Sequence, residues 1–394
     1  MKKALSLLLA LAMVLGLCAG ASAESVSEAL AAAATMTDED LYARAQEEIA
    51  GGAELDFYST TSFAEKAAAN FEAAYPALAG KIHYHEIDDG ESYSILTRSI
   101  GTGLNDMGLL QNGSDLRTRL LDPGLAFSYF PESMADAVPE AYRDPAVVVF
   151  INSLFIYNNG TTANGEASSI NFTNVWELTE DAWKDRIFFK NPTVETVNIN
   201  FLMMLTSPEW DAKLAAAYES RYGKAWEAGE YESASQEWIA GFLGNVNYTY
   251  TSASKIATGI ASGNPGNMGL FVFSKLRKVE EPDLSNLAVV QFENDVDCFS
   301  GFMYSIYASV FSDTDCPYTC ALFINYLLSK DGFASEKCWN AYQGYYSPNT
   351  TIEKPEGVED QPFTYWQDKL VIEDPDYILE HFNEVYEFIA LEVG

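Results

Sequence analysis

Hydrophobic and polar positions along the chain predict strands and helices in turn. Short apolar runs predict three strands near the N-terminus, at 54–58, 82–87 and 106–111. Between the first two, apolar residues recur every four positions from Phe63 to Tyr75, which predicts an amphipathic helix. Strands that alternate with helices are typical of a parallel α/β sheet.

Helix start signals support this pattern. Thr37 precedes an acidic first turn and predicts an N-cap. Ser62 and Glu65 have the spacing of a capping box. Asp374-Pro375 predicts the start of the last helix, because proline fits the first helical position.

The run at 147–157 is the most β-prone part of the chain, and its length predicts a strand that crosses between two lobes. The alternation of strands and helices then begins again, and a strand predicted at 287–292 runs back toward the first lobe. The fold class expected is α/β, with two lobes joined by crossing hinge strands. The predicted boundaries are 24–150 with about 294–345 for the first lobe, and 151–293 with part of 346–394 for the second.

The first 23 residues read as an export signal. Two lysines precede an apolar stretch at 4–17, and Ala21-Ser22-Ala23 fits signal peptidase cleavage, so 1–23 is the predicted signal peptide. The alternative is a lipid anchor on Cys18, but Leu17 stands where a lipoprotein signal needs Gly, Ala or Ser. The mature protein is expected outside the cytoplasm, in the periplasm or at the cell surface.

Charge and composition narrow the function. The chain has 394 residues, with 57 Asp plus Glu against 23 Lys plus Arg, and its net charge of −34 excludes nucleic acid as the main partner. Only three histidines occur, so a histidine-rich metal enzyme is disfavoured. Four cysteines follow the first 23 residues, and none of them forms a C-x-x-C pair: Cys298, Cys316, Cys320 and Cys338. We expect them to be buried as small apolar residues or to form a disulfide. We expect no cofactor and no metal.

One local arrangement recurs in both halves: a strand runs into Ser, Thr or Asn, and a helix begins. Open α/β sheets bind ligands outside the carboxyl ends of their strands, where helix N-termini offer free N–H groups. Helix capping alone explains any single instance, whereas the repetition favours a binding cleft for a small polar ligand. The predicted ligand-binding residues are Ser59, Thr60, Asn112, Asn158, Thr193, Ser252, Ser254 and Asp297.

The sign of the ligand's charge stays open. An acidic run at Glu293, Asp295 and Asp297 favours a cation, unless it is a solvated loop. Lys190 and Lys255 favour an anion or sugar phosphate. His83 and His85 alternate on one strand and face the same side, but this pair alone is a weak metal signal.

Several segments, in order, resemble bacterial ABC-importer solute-binding proteins of the ferric-ion and polyamine type. These segments are 41–48 with Tyr58-Ser59, 71–76, Tyr157-Asn158, 176–192, 323–329 and 344–349. The resemblance implies the type 2 periplasmic-binding-protein fold, with crossing strands near 150–158 and 289–293. It further implies a monomer that captures a small molecule and delivers it to a membrane permease without catalysis. The tyrosine pair of the family's iron binders is not matched, since Tyr248 and Tyr250 are separated by one residue.

The competing function is a secreted hydrolase that acts on carbohydrate. Such an enzyme needs two carboxylates across a groove, and with 57 acidic residues no pair stands out. Nucleophile-elbow, zinc-protease and P-loop motifs are absent from the sequence. We therefore expect a binding protein and not an enzyme.

Overall fold

The computed structural model describes residues 24–161, 168–170, 172–278 and 284–393. The predicted signal peptide and Cys18 lie outside the described residues. None of the helices in the described part of the chain has the length and apolar character that crossing a bilayer requires.

The described residues form one mixed sheet of twelve strands. Its main strand order is β2-β1-β3-β10-β5-β8-β6-β7, and the four remaining strands pair with β5 or β10. The strands are β1 Leu55–Ser59, β2 Ile82–Glu86, β3 Met107–Leu110, β4 Ala126–Phe127, β5 Val147–Asn158, β6 Ile187–Phe188, β7 Val246–Asn247, β8 Met268–Val272, β9 Leu287–Val289, β10 Gly301–Phe311, β11 Tyr345–Tyr346 and β12 Val371–Ile372.

The first lobe is built on β1, β2 and β3, which are parallel as the alternating pattern predicts. Helices α1 to α5 accompany these strands: α1 Val26–Ala33, α2 Asp38–Ala50, α3 Phe63–Ala74, α4 Asp89–Ser99 and α5 Gly113–Leu116. The Thr37 hydroxyl accepts a bond from the Asp40 amide and caps α2, as predicted. The predicted capping box at Ser62 is wrong, because the Ser62 side chain makes no cap bond to α3.

Two long antiparallel strands connect the halves of the sheet. Strand β5 confirms the predicted crossing strand, and every residue in it is buried. Its partner is β10. One end of β10 pairs with β5 near Leu154, and the other end pairs with β3. The return crossing predicted at 289–293 is therefore wrong: β9 ends at Val289, and a short helix follows it. The apolar run 301–311 forms β10, and no strand was predicted there.

The second lobe is built on β6, β7 and β8, with β9 beside the end of β5. Its helices are α6 Thr196–Leu205, α7 Pro208–Tyr222, α8 Ala234–Asn245, α9 Ala253–Ala261 and α10 Val290–Glu293. Ser207 caps α7 through the Trp210 amide, and Pro208 occupies the first helical position. Three fully buried aromatic side chains, Trp176, Trp238 and Phe201, fill the core of this lobe.

The C-terminal helices, between residues 317 and 393, pack against both lobes. Its helices are α11 Pro317–Leu328, α12 Lys330–Phe333, α13 Phe363–Gln367 and α14 Pro375–Val393. Helix α11 packs on α1 and α2, whereas α14 packs on α6 and α8 and also contacts α5. At that contact Arg117 lies 3.1 Å from Asp376, so the last helix touches both sides of the molecule.

Candidate functional site

The carboxyl ends of strands from both lobes face one cavity of about 270 Å³, here named the inner cleft cavity. From the first lobe, Thr60 follows β1, Ile87 follows β2 and Gln111 follows β3. From the second lobe, Lys190 follows β6 and Lys275 follows β8. This is the position at which open α/β sheets bind ligands.

A second cavity of about 400 Å³, the outer cleft cavity, adjoins the first, and Glu195 lines both. Its polar lining includes Asp115 and Thr193. Its apolar lining includes side chains of α14, among them Phe382, which is 39% exposed. The last helix therefore forms one wall of the outer cleft cavity.

The inner cleft cavity is acidic. Its charged lining consists of four carboxyl groups and two ammonium groups: Glu86, Asp88, Asp89, Glu195, Lys190 and Lys275. Lys190 is ion-paired with Glu195, and both side chains are largely shielded. The remaining charges leave an excess of negative charge in the cavity, where Glu86 and Asp88 are exposed and Asp89 is half-buried.

Asp89 shows the effect of this environment. It borders the cavity but is otherwise surrounded by protein, and that burial raises the pKa of its carboxyl group to about 7. The Glu195 charge raises this pKa further, Lys190 opposes the shift, and Asp115 adds to it. A cation that enters the cavity would stabilise the ionised form of Asp89.

Neutral polar groups complete the lining. The hydroxyl oxygen of Thr60 is shielded from solvent and has no hydrogen-bond partner in the part of the chain that the structure describes. Tyr304 of β10 also lines the inner cleft cavity, and burial raises the pKa of its phenol well above the ordinary value. Tyr248 and Tyr250, considered above as a possible iron pair, are not part of the lining.

Asn112 shapes the end of β3. It has a left-handed backbone, with φ at 59°, and its amide nitrogen donates to Asp115 at 2.9 Å. Its side-chain oxygen accepts from the Ser114 hydroxyl at 2.8 Å, and the Tyr93 hydroxyl donates to its carbonyl oxygen at 3.0 Å. These bonds fix the turn that borders the outer cleft cavity.

The structure brings together part of the predicted set. Thr60 lines the inner cleft cavity, and Asn112 and Thr193 line the outer one. Ser252 caps α9 through the Lys255 amide at 3.3 Å, and Ser254 lies on the same helix beside Ala253, which borders the inner cavity.

Five of the eight predicted residues line neither cavity: Ser252 and Ser254, and three more that are engaged in other contacts. Ser59 is fully buried and accepts from the Thr61 amide. The Asn158 amide donates to the Ile260 carbonyl at 2.7 Å and holds the end of α9. Asp297 accepts from the Asn174 amide at 3.1 Å. Ligand binding by any of the eight predicted residues remains a prediction.

The acidic lining is absent from the predicted set, in which Asp297 is the one carboxylate among hydroxyl and amide side chains. Asp88 and Asp89 directly follow the predicted strand 82–87, so the same positional rule applied to carboxylates would have included them. The acidic run that the sequence analysis considered instead lies elsewhere. Glu293 there accepts a bond from Tyr157, and Asp295 is ion-paired with Lys369.

No protein-family model matches the chain, and no curated protein matches it in sequence. Solved structures do match over nearly their whole length. Iron-bound HitA from Pseudomonas aeruginosa is 16% identical, with 86% of this chain and 98% of that chain covered and a TM-score of 0.57. The periplasmic binding protein AfuA from Actinobacillus pleuropneumoniae, with exogenous fructose-6-phosphate bound, is 15% identical, with coverage of 86% and 98% and a TM-score of 0.60. A ferric binding protein from Campylobacter jejuni is 14% identical, with coverage of 86% and 99% and a TM-score of 0.55.

These similarities confirm the predicted fold class. The chain has the two-lobe α/β fold of type 2 periplasmic binding proteins, with crossing strands between the lobes. The identities are low, so the likeness concerns the fold. One of these proteins is described with iron and another with a sugar phosphate, so the fold alone does not select a ligand.

Proposed function

We propose that this protein is an extracytoplasmic solute-binding protein that captures a small polar solute between its lobes and delivers it to an ABC permease. The observation that carries this proposal is the inner cleft cavity, because strand ends from both lobes line it. The shared fold with HitA and AfuA supports the same role. The signal pattern at 1–23 supports export.

The charge of the cavity supports an organic cation, such as an amine, as the solute. Four carboxyl groups and two lysines line the inner cleft cavity, and one lysine is already paired with Glu195. An anion would meet the carboxylates of Glu86, Asp88 and Asp89, and like charges repel one another. A cation would instead gain charge-assisted hydrogen bonds from the same groups.

The size of the site supports a small solute. The volume of about 270 Å³ lies just below the range of about 300–1,000 Å³ that is common for ligand pockets. The outer cleft cavity adds room for a less polar part of the solute, since Leu379 and Phe382 line it.

The connections between the lobes support a hinged capture mechanism. Strands β5 and β10 run from one lobe to the other, so a change of backbone angles at either strand would move one lobe relative to the other. Residues of both lobes would then contact the solute only when the cleft is closed.

A thermal-shift panel tests the proposal. The probes are putrescine, spermidine, arginine and glycine betaine, against fructose 6-phosphate and ferric citrate. A solute present at about 100 times its Kd stabilises the folded protein by about 2.7 kcal/mol, which raises the unfolding temperature measurably. We expect stabilisation by at least one organic cation and none by fructose 6-phosphate.

A cleft variant and a matched control test whether the stabilisation arises from binding in the inner cleft cavity. Glu86→Gln/Asp88→Asn removes two carboxylates from the inner cleft cavity, whereas Glu336→Gln/Glu387→Gln removes two exposed carboxylates outside both cavities. The cleft variant should lose the stabilisation and the control should keep it. Turnover of a carbohydrate substrate, or stabilisation by the sugar phosphate alone, would contradict the proposal.

A further inference from the structure

A cluster of metal-ligating side chains lies at the edge of the first lobe that is opposite the cleft. Asp106 immediately precedes β3, and Asp315 and Cys316 immediately precede α11. One ligand atom from each of these residues lies within 4.8 Å of the other two. No other three histidine, cysteine or acidic side chains approach one another this closely in the described ranges of the chain.

A second thiol faces the same place. Cys320 lies one helical turn after Cys316, and both thiols are fully buried. The Thr314 hydroxyl oxygen lies 3.6 Å from the Cys316 sulfur and 3.9 Å from the Cys320 sulfur. A second sulfur donor, Cys320, therefore lies beside the cluster of Asp106, Asp315 and Cys316, and the same threonine hydroxyl contacts both sulfurs.

Neighbouring groups hold the donors in position. The Thr314 hydroxyl donates to one Asp106 carboxyl oxygen at 2.7 Å, and the Asp56 amide donates to the other at 2.7 Å. The Thr314 oxygen in turn accepts from the Cys316 amide at 3.1 Å. Partners of this kind orient the ligands of metal sites.

The charge of the surroundings also favours a cation. The positive end of α11 would oppose one, but the Glu48 carboxylate accepts from the Tyr318 and Thr319 amides at 2.9 and 2.8 Å. Glu48 thereby offsets the partial charge of the helix N-terminus. Asp56 adds a further acidic group on the neighbouring strand.

We propose that Asp106, Asp315, Cys316 and Cys320 bind a thiophilic divalent cation, for which zinc is the best match. Zinc takes four tetrahedral ligands from thiolate, imidazole and carboxylate groups, and its bond lengths place neighbouring ligand atoms about 3.3–3.8 Å apart. The ligand atoms of Asp106, Asp315 and Cys316 lie within 4.8 Å of one another, so binding draws these three atoms closer together and brings the Cys320 sulfur to them. Each thiol that binds the ion gives its proton to solvent.

The site fastens the start of α11 to the start of β3 and so acts on the stability of the first lobe. It lies at the amino ends of the strands, whereas the solute cavity lies at their carboxyl ends. Solute capture and metal binding are therefore separate properties that can fail independently.

Cobalt(II) titration of the reduced, full mature chain tests the site. Tetrahedral cobalt bound through thiolate shows a charge-transfer band in the near ultraviolet and intense visible bands, which surface carboxylates do not produce. We expect both bands to saturate at one equivalent of cobalt and to disappear when zinc is added. Their absence from the reduced protein would overturn the proposal.

Three variants make the test specific. Asp315→Asn changes an exposed side chain, so the protein should fold, and its zinc affinity should fall at least tenfold in competition with a chelating dye. Cys316→Ser should abolish the charge-transfer band, while the control Cys298→Ser, at a thiol outside the cluster, should leave it unchanged. Cobalt bands that persist in Cys316→Ser, or unchanged zinc affinity in Asp315→Asn, would refute the assignment.

Discussion

The ammonium group of Lys190 is ion-paired with the carboxylate of Glu195 at the boundary between the two cleft cavities. Lys190 follows β6, and Glu195 precedes α6, so the pair closes the short connection between them. Because Lys190 neutralises Glu195, the negative charge of the inner cavity rests on the first-lobe residues Glu86, Asp88 and Asp89.

Replacing Lys190 by methionine should strengthen the binding of an organic cation. The substitution keeps much of the side-chain volume and releases Glu195 to act on the solute. We expect an affinity gain of about fivefold, corresponding to ~1 kcal/mol of charge interaction. Titration calorimetry measures it, with Lys66→Met on the exposed face of α3 as the control. A loss of cation affinity in Lys190→Met with none in Lys66→Met would contradict the assigned cavity charge.

Cation binding should depend on pH through Asp89. Its pKa is raised to about 7, so the carboxyl group is protonated in much of the population below that pH. A cation binds the ionised form, so affinity should rise with pH up to about 7, by at most about tenfold per pH unit, and level off above it. Calorimetry with arginine between pH 5.5 and 8.5 measures this, since its guanidinium group stays charged throughout.

The Asp89→Asn variant tests whether this residue is responsible. It should bind the cation more weakly at pH 8 and with little pH dependence. Without solute it should unfold at a higher temperature than the parent at pH 8, because a raised carboxyl pKa costs stability once the group ionises. That gain should be smaller at pH 5, where the parent is largely protonated. If cation affinity in Asp89→Asn depends on pH as it does in the parent, Asp89 is not the source of that pH dependence.

Thr60 and Ser252 should affect different properties. The Thr60 hydroxyl has no hydrogen-bond partner among the described residues, so Thr60→Val should leave stability intact and weaken solute binding by about 1 kcal/mol. Ser252 caps α9, so Ser252→Ala should lower the free energy of unfolding by about 1 kcal/mol and change affinity little. Chemical denaturation and calorimetry on both variants check this. Equal losses of affinity in the two variants would place Ser252 in the site as well.

The contact between the first lobe and the last helix should tolerate no added volume. A Cβ atom at Gly113 would lie 2.6 Å from Pro375 and 2.9 Å from Tyr307. Gly113→Ala should therefore destabilise the protein by about 1–3 kcal/mol. Gly244→Ala, in α8 with open space around it, is the matched control and should be neutral or slightly stabilising. Denaturant unfolding of both variants measures the difference in the free energy of unfolding. Equal values would show that the contact at Gly113 accommodates the added methyl group.

Local sequence patterns were sufficient for most of the fold. The period of four along α3, the Thr37 cap and the continuous apolar run of β5 each depend on neighbouring residues alone, and all three were predicted. Strand β10 was missed. Its apolar and small residues alternate only weakly because the strand is buried on both faces, and its pairing with β5 and β3 is visible only in three dimensions.

The candidate site could be predicted in position but not in chemistry. The rule that ligands lie beyond the ends of strands places Thr60, Asn112 and Thr193 at the cleft. The same rule also selected Asn158, whose side-chain amide instead donates to a carbonyl at the end of α9. The sequence does not reveal that contact. Asp89 directly follows a predicted strand, but among 57 acidic residues the sequence could not indicate that this carboxyl group is one of those that border the cavity. That property depends on how two distant lobes face each other.

A crystal structure of the protein with the organic cation that stabilises it most in the thermal-shift panel tests the central claim most directly. We predict that the solute lies in the inner cleft cavity and contacts Asp89 from the first lobe and Asn198 or Glu195 from the second. Contacts from both lobes at once are what capture between lobes requires. Density for the solute on the surface of a single lobe, with the inner cleft cavity left to water, would contradict the account.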